Sequence, residues 1–312
     1  QADTGALKLL SRSRADVSVG QQCFDNDRMI SYVVEELSSQ HGCVGGGGYV
    51  WSFGLDPETL EFRELNHRPS LGSMPAYICI DKSKKYAVVV HHCLPKHITK
   101  LIQKEDGSYG TEVILEEGSV ILFRLNEDGS IGEDCDAMTF KGSGKPGLDT
   151  FCHPHWVGCD PTGELYVVND CGSDRIFTFH IDREKGKLLL LKEIYAGYGY
   201  WPRYSAFLSD APIFYNSNEQ KLVVQGYRYD VESGELEKVC EANMLSEEYQ
   251  AGRTIHAEPS DIILHPSGHT LYTAVRDYNC IAVYHINEDY TLTLLQDIDC
   301  GGSYPRGICV TP

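Results

Sequence analysis

Short apolar runs separated by polar turns recur along the whole chain. In the stretch 153–182, two such runs are Leu165–Val168 and Ile176–Ile181, and polar turns precede them at Asp160–Gly163 and Cys171–Asp174. Runs of this length that are rich in Val, Tyr, Phe and Ile, with Gly, Asp and Pro at their ends, are typical of antiparallel strands joined by tight turns. The pattern therefore predicts a β-protein built from repeated units.

A proline opens each of the later units and gives the length of the repeat. The spacing is 48 residues from Pro154 to Pro202, 57 from Pro202 to Pro259 and 46 from Pro259 to Pro305. Pro75 stands 79 residues before Pro154, and we attribute the excess to an insertion. Units of about 40–50 residues are typical of four-stranded propeller blades.

The repeat predicts an all-β fold, a seven-bladed β-propeller of four-stranded antiparallel blades, with residues 1–312 forming a single domain. Five units look complete, while the first, at residues 1–14, and the last, from residue 304, are present only as pieces. The insertion covers about residues 94–117. Because seven blades need more strands than these ends supply, we expect residues to be missing at the termini. A smaller ring and a set of unrelated hairpins are the alternatives.

Composition and charge limit the partners. The chain has 42% hydrophobic residues, enough for a sizeable core, and a net charge of −18. Nucleic acids and anionic membranes require a basic surface, so we expect neither as a partner. No apolar run approaches the roughly 18 residues that span a bilayer, and no signal peptide is visible. Since Gln1 is not an initiator methionine, we expect the true N-terminus to lie further upstream.

The twelve cysteines do not form a metal or redox motif. No two of them are closer than seven residues, so the chain has no Cys-x-x-Cys pair. Several lie in strand-like runs, for example Cys79 and Cys309. We therefore expect buried free thiols in a reducing cytoplasm. His91, His92 and Cys93 are consecutive, and alternate strand residues face opposite ways, so we expect no metal there.

Several motifs together resemble the seven-bladed lactonase propellers, a family that includes a bacterial 6-phosphogluconolactonase and a fungal 3-carboxy-cis,cis-muconate lactonising enzyme. The resemblance covers nearly the whole chain. It rests on YVVEE at 32–36, GSGKPGLDTFCHPHWVGCDPTGELYVVND at 142–170, WPRY at 201–204, YNSNE at 215–219, SDIILHPSGHTLYTAVRD at 260–277 and YPR at 304–306. Members share the fold and differ in chemistry, so the motifs are less specific for the substrate.

The resemblance implies a set of site residues. His155, the second histidine of the HPH motif, matches the site histidine of the family, and Arg203 matches the arginine of its Pro-Arg motif. Glu219 matches the glutamate at the end of the next strand, and Arg276 the arginine that closes a Ser-Asn-Arg run. We assign His155 and Glu219 as catalytic, and Arg203, Arg276 and His153 as substrate-binding.

The chain departs from the family pattern at three places. The family has glycine at the position of Trp201 and histidine at the position of Tyr204. Ala274–Val275 replace the residues that precede the family's arginine, here Arg276. We expect Trp201 and Tyr204 to change the shape of the pocket and so to bear on the identity of the substrate, and Ala274–Val275 to change the hydrogen bonds beside Arg276.

The residue types suit the hydrolysis of a lactone, which is a cyclic ester. Hydrolysis needs a base that activates water and a positive group that stabilises the oxyanion. His155 can act as a base near neutral pH, because an imidazole ordinarily titrates at about 6.5. Arg203 and Arg276 can bind a phosphate or carboxylate bidentately. Glu219 can orient His155 or an arginine, or transfer a proton itself.

A structural role is the alternative for each of these residues. The two histidines can hydrogen-bond turn backbone, and Glu219 can serve only as a salt-bridge partner. Arg306 follows a proline as Arg203 does, so both can be arginines that link blades. Glu36 ends a strand in a similar place, and we expect a structural role for it, as for Arg306.

The function that we expect is hydrolysis of a sugar lactone, with 6-phosphogluconolactone as the first candidate and with no cofactor or metal. The expected partner is a small anionic lactone. The alternatives are a muconate-type lactonising cycloisomerase, which would share the same residues, and a propeller that binds ligands without catalysis. The sequence leaves the oligomeric state open.

Overall fold

The structure is a computed structural model, and it describes residues 8–13, 17–40, 45–94, 97–140, 142, 152–250 and 258–310. The described residues form five four-stranded antiparallel sheets and one two-stranded sheet. One short helix, α1 (Glu247–Gln250), is the exception to an otherwise all-β arrangement. No helix within the described ranges is long and apolar enough to cross a membrane.

Each four-stranded sheet is one blade, and its strands follow one another in chain order from the inside to the outside. Blade 1 contains β1 (Val19–Asp25), β2 (Ile30–Glu35), β3 (Tyr49–Leu55) and β4 (Phe62–Pro69). Blade 2 contains β5 (Pro75–Ile80), β6 (Tyr86–His91), β9 (Gly118–Leu125) and β10 (Ile131–Phe140), and the insertion between its second and third strands forms the separate hairpin β7 (His97–Gln103) and β8 (Tyr109–Leu115).

The remaining three blades have no insertion. Blade 3 contains β11 (Pro154–Cys159), β12 (Tyr166–Asp170), β13 (Arg175–Asp182) and β14 (Lys187–Tyr195). Blade 4 contains β15 (Pro202–Phe207), β16 (Ile213–Asn218), β17 (Val223–Tyr229) and β18 (Leu236–Asn243). Blade 5 contains β19 (Pro259–Leu264), β20 (Thr270–Val275), β21 (Cys280–Ile286) and β22 (Leu292–Asp299).

The burial of the strands follows their place in the blade. In blades 1 to 4 every residue of the second strand is buried, and clusters of buried hydrophobic residues join each blade to the next. The outermost strands are largely exposed, as in β4. These strands contain continuous apolar stretches, such as Tyr86–Val90 in β6 and Tyr166–Val168 in β12. The first strands of successive blades contact one another in order, which places them around the inside of a ring.

Tyrosines on the second strands fix neighbouring blades to each other. The hydroxyl of Tyr32 donates a hydrogen bond to the carbonyl of Gly129 at 2.8 Å, and Tyr86 donates to Arg183 at 2.8 Å. Tyr215 donates in the same way to Tyr290 at 2.9 Å. Each acceptor lies in the turn between the third and fourth strands of the next blade. The repeated bond links the second strands of blades 1, 2 and 4 to the blade that follows each of them.

The predicted units agree with the blades. The five units that looked complete are blades 1 to 5, and the predicted insertion is the β7–β8 hairpin. Residues 8–13 and 304–310 contain no strand, and the motif at 143–151 lies outside the described residues. The prediction that residues 1–312 form one domain stays a prediction. All eleven cysteines within the described ranges are free thiols, as expected, but only four are buried.

Candidate active site

The repeat brings one residue from each blade to the same place around the channel. In four blades the residue just after the second strand donates its backbone N–H to the carbonyl of the residue just before the opening proline. The pairs are His92 to Met74 at 3.1 Å, Cys171 to His153 at 3.1 Å, Glu219 to Trp201 at 2.8 Å and Arg276 to Glu258 at 3.2 Å. Glu36 follows β2 and is the corresponding residue of blade 1. The residue after the proline supplies a second set, which includes His155 and Arg203.

Buried aspartates hold the backbone that carries these residues. Asp170, the last residue of β12, accepts a hydrogen bond from the N–H of His153 at 2.6 Å and is itself wholly buried. Asp174 accepts from the N–H of Trp201 at 2.8 Å. Trp201 has a φ of 57°, in the left-handed region that glycine adopts freely. The lactonase propellers that the sequence resembles have glycine at this position, and glycine adopts this positive φ without strain.

Glu219 lies at the centre of the charged part of the site. Its Oε1 atom accepts a hydrogen bond from Nη2 of Arg276, and Nε of Arg203 lies 3.5 Å from the same oxygen. Arg203 is only 1% exposed, and it also donates from Nη1 to the carbonyl of Ser260 at 3.0 Å. Its guanidinium carbon lies 4.5 Å from the centre of the Tyr204 ring. One carboxylate thus fixes two arginines from different blades.

A second carboxylate holds the other side of Arg276. Nε of Arg276 donates to the carbonyl of Glu258 at 2.9 Å, and Nη1 lies 3.3 Å from Oε2 of the same residue. The hydroxyl of Tyr304 donates to that Oε2 at 2.8 Å, and the Tyr304 ring lies 5.4 Å from the guanidinium carbon of Arg276. The two buried arginines are therefore balanced by two glutamates.

Three histidines from blades 2 and 3 form the other part of the site. The ring centres of His92 and His153 lie 4.3 Å apart, and those of His92 and His155 lie 5.5 Å apart with nearly parallel planes. The Tyr204 ring is 5.3 Å from His155, and Trp201 is 6.4 Å from His153. The two departures from the family pattern thus lie directly against the site histidines.

The hydrogen bonds of His92 hold its ring between two acceptors. Its Nδ1 lies 2.9 Å from the carbonyl oxygen of Cys93, and its Nε2 lies 2.9 Å from Oε1 of Glu36. Both partners are acceptors when the glutamate is ionised, so each ring nitrogen of His92 faces an acceptor. Burial acts to raise the pKa of Glu36, but the hydrogen bond and charge of His92, followed by Arg306 and Arg203, lower it. Glu36 is therefore a carboxylate that His92 holds in place.

His155 and His153 are neutral in this environment. Burial lowers the pKa of His155 well below its usual value, and the positive charges of Arg203 and His92 lower it further. The pKa of His153 is lowered well below the ordinary range by burial and by His92. Nδ1 of His155 is buried and has no hydrogen-bond partner among the described residues. The site therefore contains an uncharged imidazole within reach of the charge of Arg203.

Cys171 completes the set of equivalent residues and does not serve as a nucleophile. Its thiol donates to the carbonyl of Pro202 at 3.2 Å. Burial raises the pKa of Cys171 well above the usual thiol value, and the charge of Glu219 adds to the effect, so the thiol stays protonated. Within the described parts of the chain, no group of three or more His, Cys, Asp or Glu side chains is arranged to hold a metal ion.

The structure brings together all five residues assigned to the site from the sequence, namely His153, His155, Arg203, Glu219 and Arg276. It also adds residues for which the sequence analysis expected a structural role or gave none, namely Glu36, His92, Glu258 and Tyr304. A signal for them exists in the sequence. If the units are aligned on the opening proline, each of these residues falls either just before the proline or just after the second strand.

The fold and the site define a class of protein, a β-propeller with a buried cluster of histidines, arginines and glutamates where its inner strands meet. Residues 2–312 match the family described as lactonase, 7-bladed beta-propeller. The chain therefore belongs to this lactonase family, as the resemblance in the sequence implied, and the seven-bladed propeller is its fold class.

Named relatives and solved structures agree with this family. The chain is 21% identical to a 6-phosphogluconolactonase of Bacillus subtilis strain 168, with 98% of this chain and 78% of the relative covered. It is 25% identical to a 6-phosphogluconolactonase of Formosa agariphila, with 92% and 73% covered. The periplasmic gluconolactonase of Pseudomonas aeruginosa superposes with a TM-score of 0.76 at 19% identity, over 92% of this chain and 73% of that one. This structural likeness shows the fold alone.

Proposed function

We propose that this protein hydrolyses a sugar lactone and that 6-phosphogluconolactone is its first candidate substrate. The observation that carries the proposal is the neutral, buried His155, whose Nδ1 has no hydrogen-bond partner among the described residues. The charge of Arg203 acts on His155, and Arg203 in turn lies 3.5 Å from Glu219. Membership of the lactonase family and the names of the relatives support the choice of substrate.

In the proposed reaction, His155 takes a proton from water as the oxygen of that water attacks the lactone carbonyl carbon. The carbonyl oxygen gains negative charge, and the cationic field of Arg203 and Arg276 stabilises it. The tetrahedral intermediate then breaks the bond from the carbonyl carbon to the ring oxygen, and the imidazolium returns its proton to that oxygen. The pKa of His155, held below its usual value by burial, favours this return.

Glu219 has a positioning role in the proposed reaction. It contacts both arginines and no histidine in the described contacts, so it fixes the cations instead of exchanging protons with substrate. The site thus contains a base for activating water, His155, and cations for stabilising the oxyanion, Arg203 and Arg276.

The test is the first-order loss of 6-phosphogluconolactone in the presence of purified protein, measured against the spontaneous rate. We expect clear acceleration that is proportional to protein concentration and absent after heat denaturation. Muconate-type lactones are measured in parallel, because a cycloisomerase would close or open those rings and leave the sugar lactone at its spontaneous rate. That second result would contradict the proposal.

A cytoplasmic location is part of the proposal. The eleven free thiols among the described residues support it, since reducing compartments keep cysteines unpaired. Fractionation of the native host with an antibody against the protein tests it, and recovery outside the cytoplasm would overturn it.

A further inference from the structure

Arg306 occupies the same place in the repeat as His155 and Arg203. Each of the three follows the proline that opens a unit. Tyr304 precedes Pro305 with a φ of 60°, and Trp201 precedes its proline with a φ of 57°, so the two backbones make the same left-handed step. The repeat therefore directs the side chain of Arg306 towards the site.

Two hydrogen bonds dock the segment of Arg306 against the first strand of blade 5. The hydroxyl of Ser260 donates to the carbonyl of Pro305 at 2.7 Å, and the N–H of Ile308 donates to Oδ2 of Asp261 at 2.9 Å. These bonds lie on both sides of Arg306 in the sequence. The backbone is thus held, while the side chain extends away from blade 5.

The side chain of Arg306 reaches blade 1 across the site. Its Nη2 lies 3.5 Å from Oε2 of Glu36, whose other oxygen accepts the hydrogen bond of His92. Burial raises the pKa of Tyr204 in blade 4, and the charges of Arg203 and Arg306 oppose that rise. Arg306 therefore lies near residues of three blades, at the mouth of the same site.

Arg306 differs from the other two arginines in its accessibility. Arg203 and Arg276 are nearly buried, and Arg276 already pairs with two carboxylates, those of Glu219 and Glu258. The Arg306 side chain is 59% exposed, and its single described ion pair, with Glu36, is long at 3.5 Å. A guanidinium has five N–H donors, so most of those of Arg306 remain available to a ligand.

The local charge also favours an anion at Arg306. Glu36 is shared between His92 and Arg306, so it neutralises the guanidinium charge of Arg306 only in part. The whole chain carries a net charge of −18, so an anionic ligand is attracted only where cations are concentrated. Phosphate is the anion whose geometry a guanidinium matches with two parallel hydrogen bonds.

We infer that Arg306 binds the phosphate of a phosphorylated sugar lactone and so determines the preference of the site for phosphorylated over unphosphorylated substrate. This inference rests on the proposed function, because it assigns the substrate class of the same site. Arg306 was expected from the sequence to have a structural role, and its exposure and position favour a binding role instead.

The test compares two lactones that differ only in the phosphate, 6-phosphogluconolactone and gluconolactone. For Arg306→Gln we expect kcat/KM on the phosphorylated lactone to fall about 30-fold, mainly through KM, which is the scale of a lost charged hydrogen bond. The fall on gluconolactone should be at most about threefold. Arg306→Lys keeps the positive charge but lacks the two parallel N–H donors of a guanidinium, so it should recover part of the loss.

Arg63→Gln is the matched control, because Arg63 is also exposed, at 69%, and has one ion pair at 3.4 Å, on the outer strand of blade 1. Arg63→Gln should leave kcat/KM on both lactones unchanged. Thermal unfolding of all variants checks that they are folded. An equal fall on both lactones in Arg306→Gln, or a wild type with no preference for the phosphorylated lactone, would overturn the inference.

Binding of the hydrolysis products separates this inference from the proposed function. Calorimetry with 6-phosphogluconate and gluconate needs no turnover, and we expect only the phosphorylated acid to lose affinity, by about 30-fold, in Arg306→Gln. If the wild type hydrolyses neither lactone, the proposed function fails, and this measurement still decides the role of Arg306. Equal affinity of wild type and Arg306→Gln for 6-phosphogluconate would reject it.

Discussion

At the scale of single residues, the site is a balance of buried charges in which each cation has an assigned partner. Arg203 and Arg276 share Glu219, and His92 pairs with Glu36. Buried pairs of this kind add little net stability when intact but cost several kcal/mol when one partner is removed. The positions of the arginines therefore depend on the glutamates.

Glu219→Gln is expected to destabilise the fold and to lower activity together. Two arginines with nearly no exposure lose their shared anion, so the free energy of unfolding should fall by about 3 kcal/mol. Urea unfolding measures this loss. The control is Glu237→Gln, whose partner Arg228 is 3.9 Å away on the surface, and it should cost less than about 1 kcal/mol. Equal costs for the two variants would mean that Glu219 does not hold the arginines.

The pH dependence of activity is expected to report on His155 and its cationic neighbours. Because burial, then Arg203 and His92, lower the pKa of His155, its neutral form persists below the usual titration range. The acid limb of kcat/KM should therefore lie well below pH 6.5. In His92→Gln one neighbouring positive charge is lost, so the limb should move up towards 6.5. A limb that stays in place in this variant, with the fold intact, would show that His92 does not act on His155.

At the scale of elements, the strands could be predicted from the sequence because their pattern is local. The run Tyr166–Val168 is buried and consists of continuous apolar residues, and the opening prolines mark the first strands of blades 2 to 5. The insertion was predicted only as an interruption of the period. That it forms its own hairpin, β7–β8, depends on pairing within the insertion, which the repeat does not contain.

The tyrosine bonds between blades are expected to contribute separately to stability. Tyr32→Phe and Tyr215→Phe each remove one hydrogen bond to the carbonyl of a neighbouring blade, and each should cost about 1 kcal/mol. The two bonds lie between different pairs of blades, so the double variant should show the sum. Tyr198 is exposed, so Tyr198→Phe is the control for removing a tyrosine hydroxyl at the surface. Urea unfolding that shows no loss in the single variants would argue against a linking role.

At the scale of the whole molecule, the site could be predicted from the sequence only in part. The resemblance supplied His155, Arg203, Glu219 and Arg276, which carry the charged centre. His92 and Glu36 come from two blades and meet only after the ring is assembled, so no local pattern indicates their contact. Their equivalence to Glu219 in the repeat could have indicated the position, but not the pairing.

Acid is expected to destabilise the whole fold through its buried histidines. Burial lowers the pKa of His91 to about 4, and those of His153 and His155 lie well below the usual value. The unfolded chain takes up protons near pH 6.5, where the folded chain does not, so stability is complete above 6.5 and falls as the pH drops towards 4. Urea midpoints at pH 7.5, 5.5 and 4.5 measure this trend. In His91→Asn the urea midpoint should fall less steeply between pH 7.5 and pH 4.5. An unchanged fall would contradict a contribution of His91 to the acid sensitivity.

The measurement that tests the central claim most directly is the hydrolysis of 6-phosphogluconolactone by His155→Gln beside wild type and His285→Gln. His285 is an exposed histidine on β21 and serves as the matched control. Loss of a general base costs about 100-fold or more, so we expect that fall in His155→Gln and less than a twofold change in the control. A folded His155→Gln protein that retains the wild-type rate would contradict the assignment of His155 as the base.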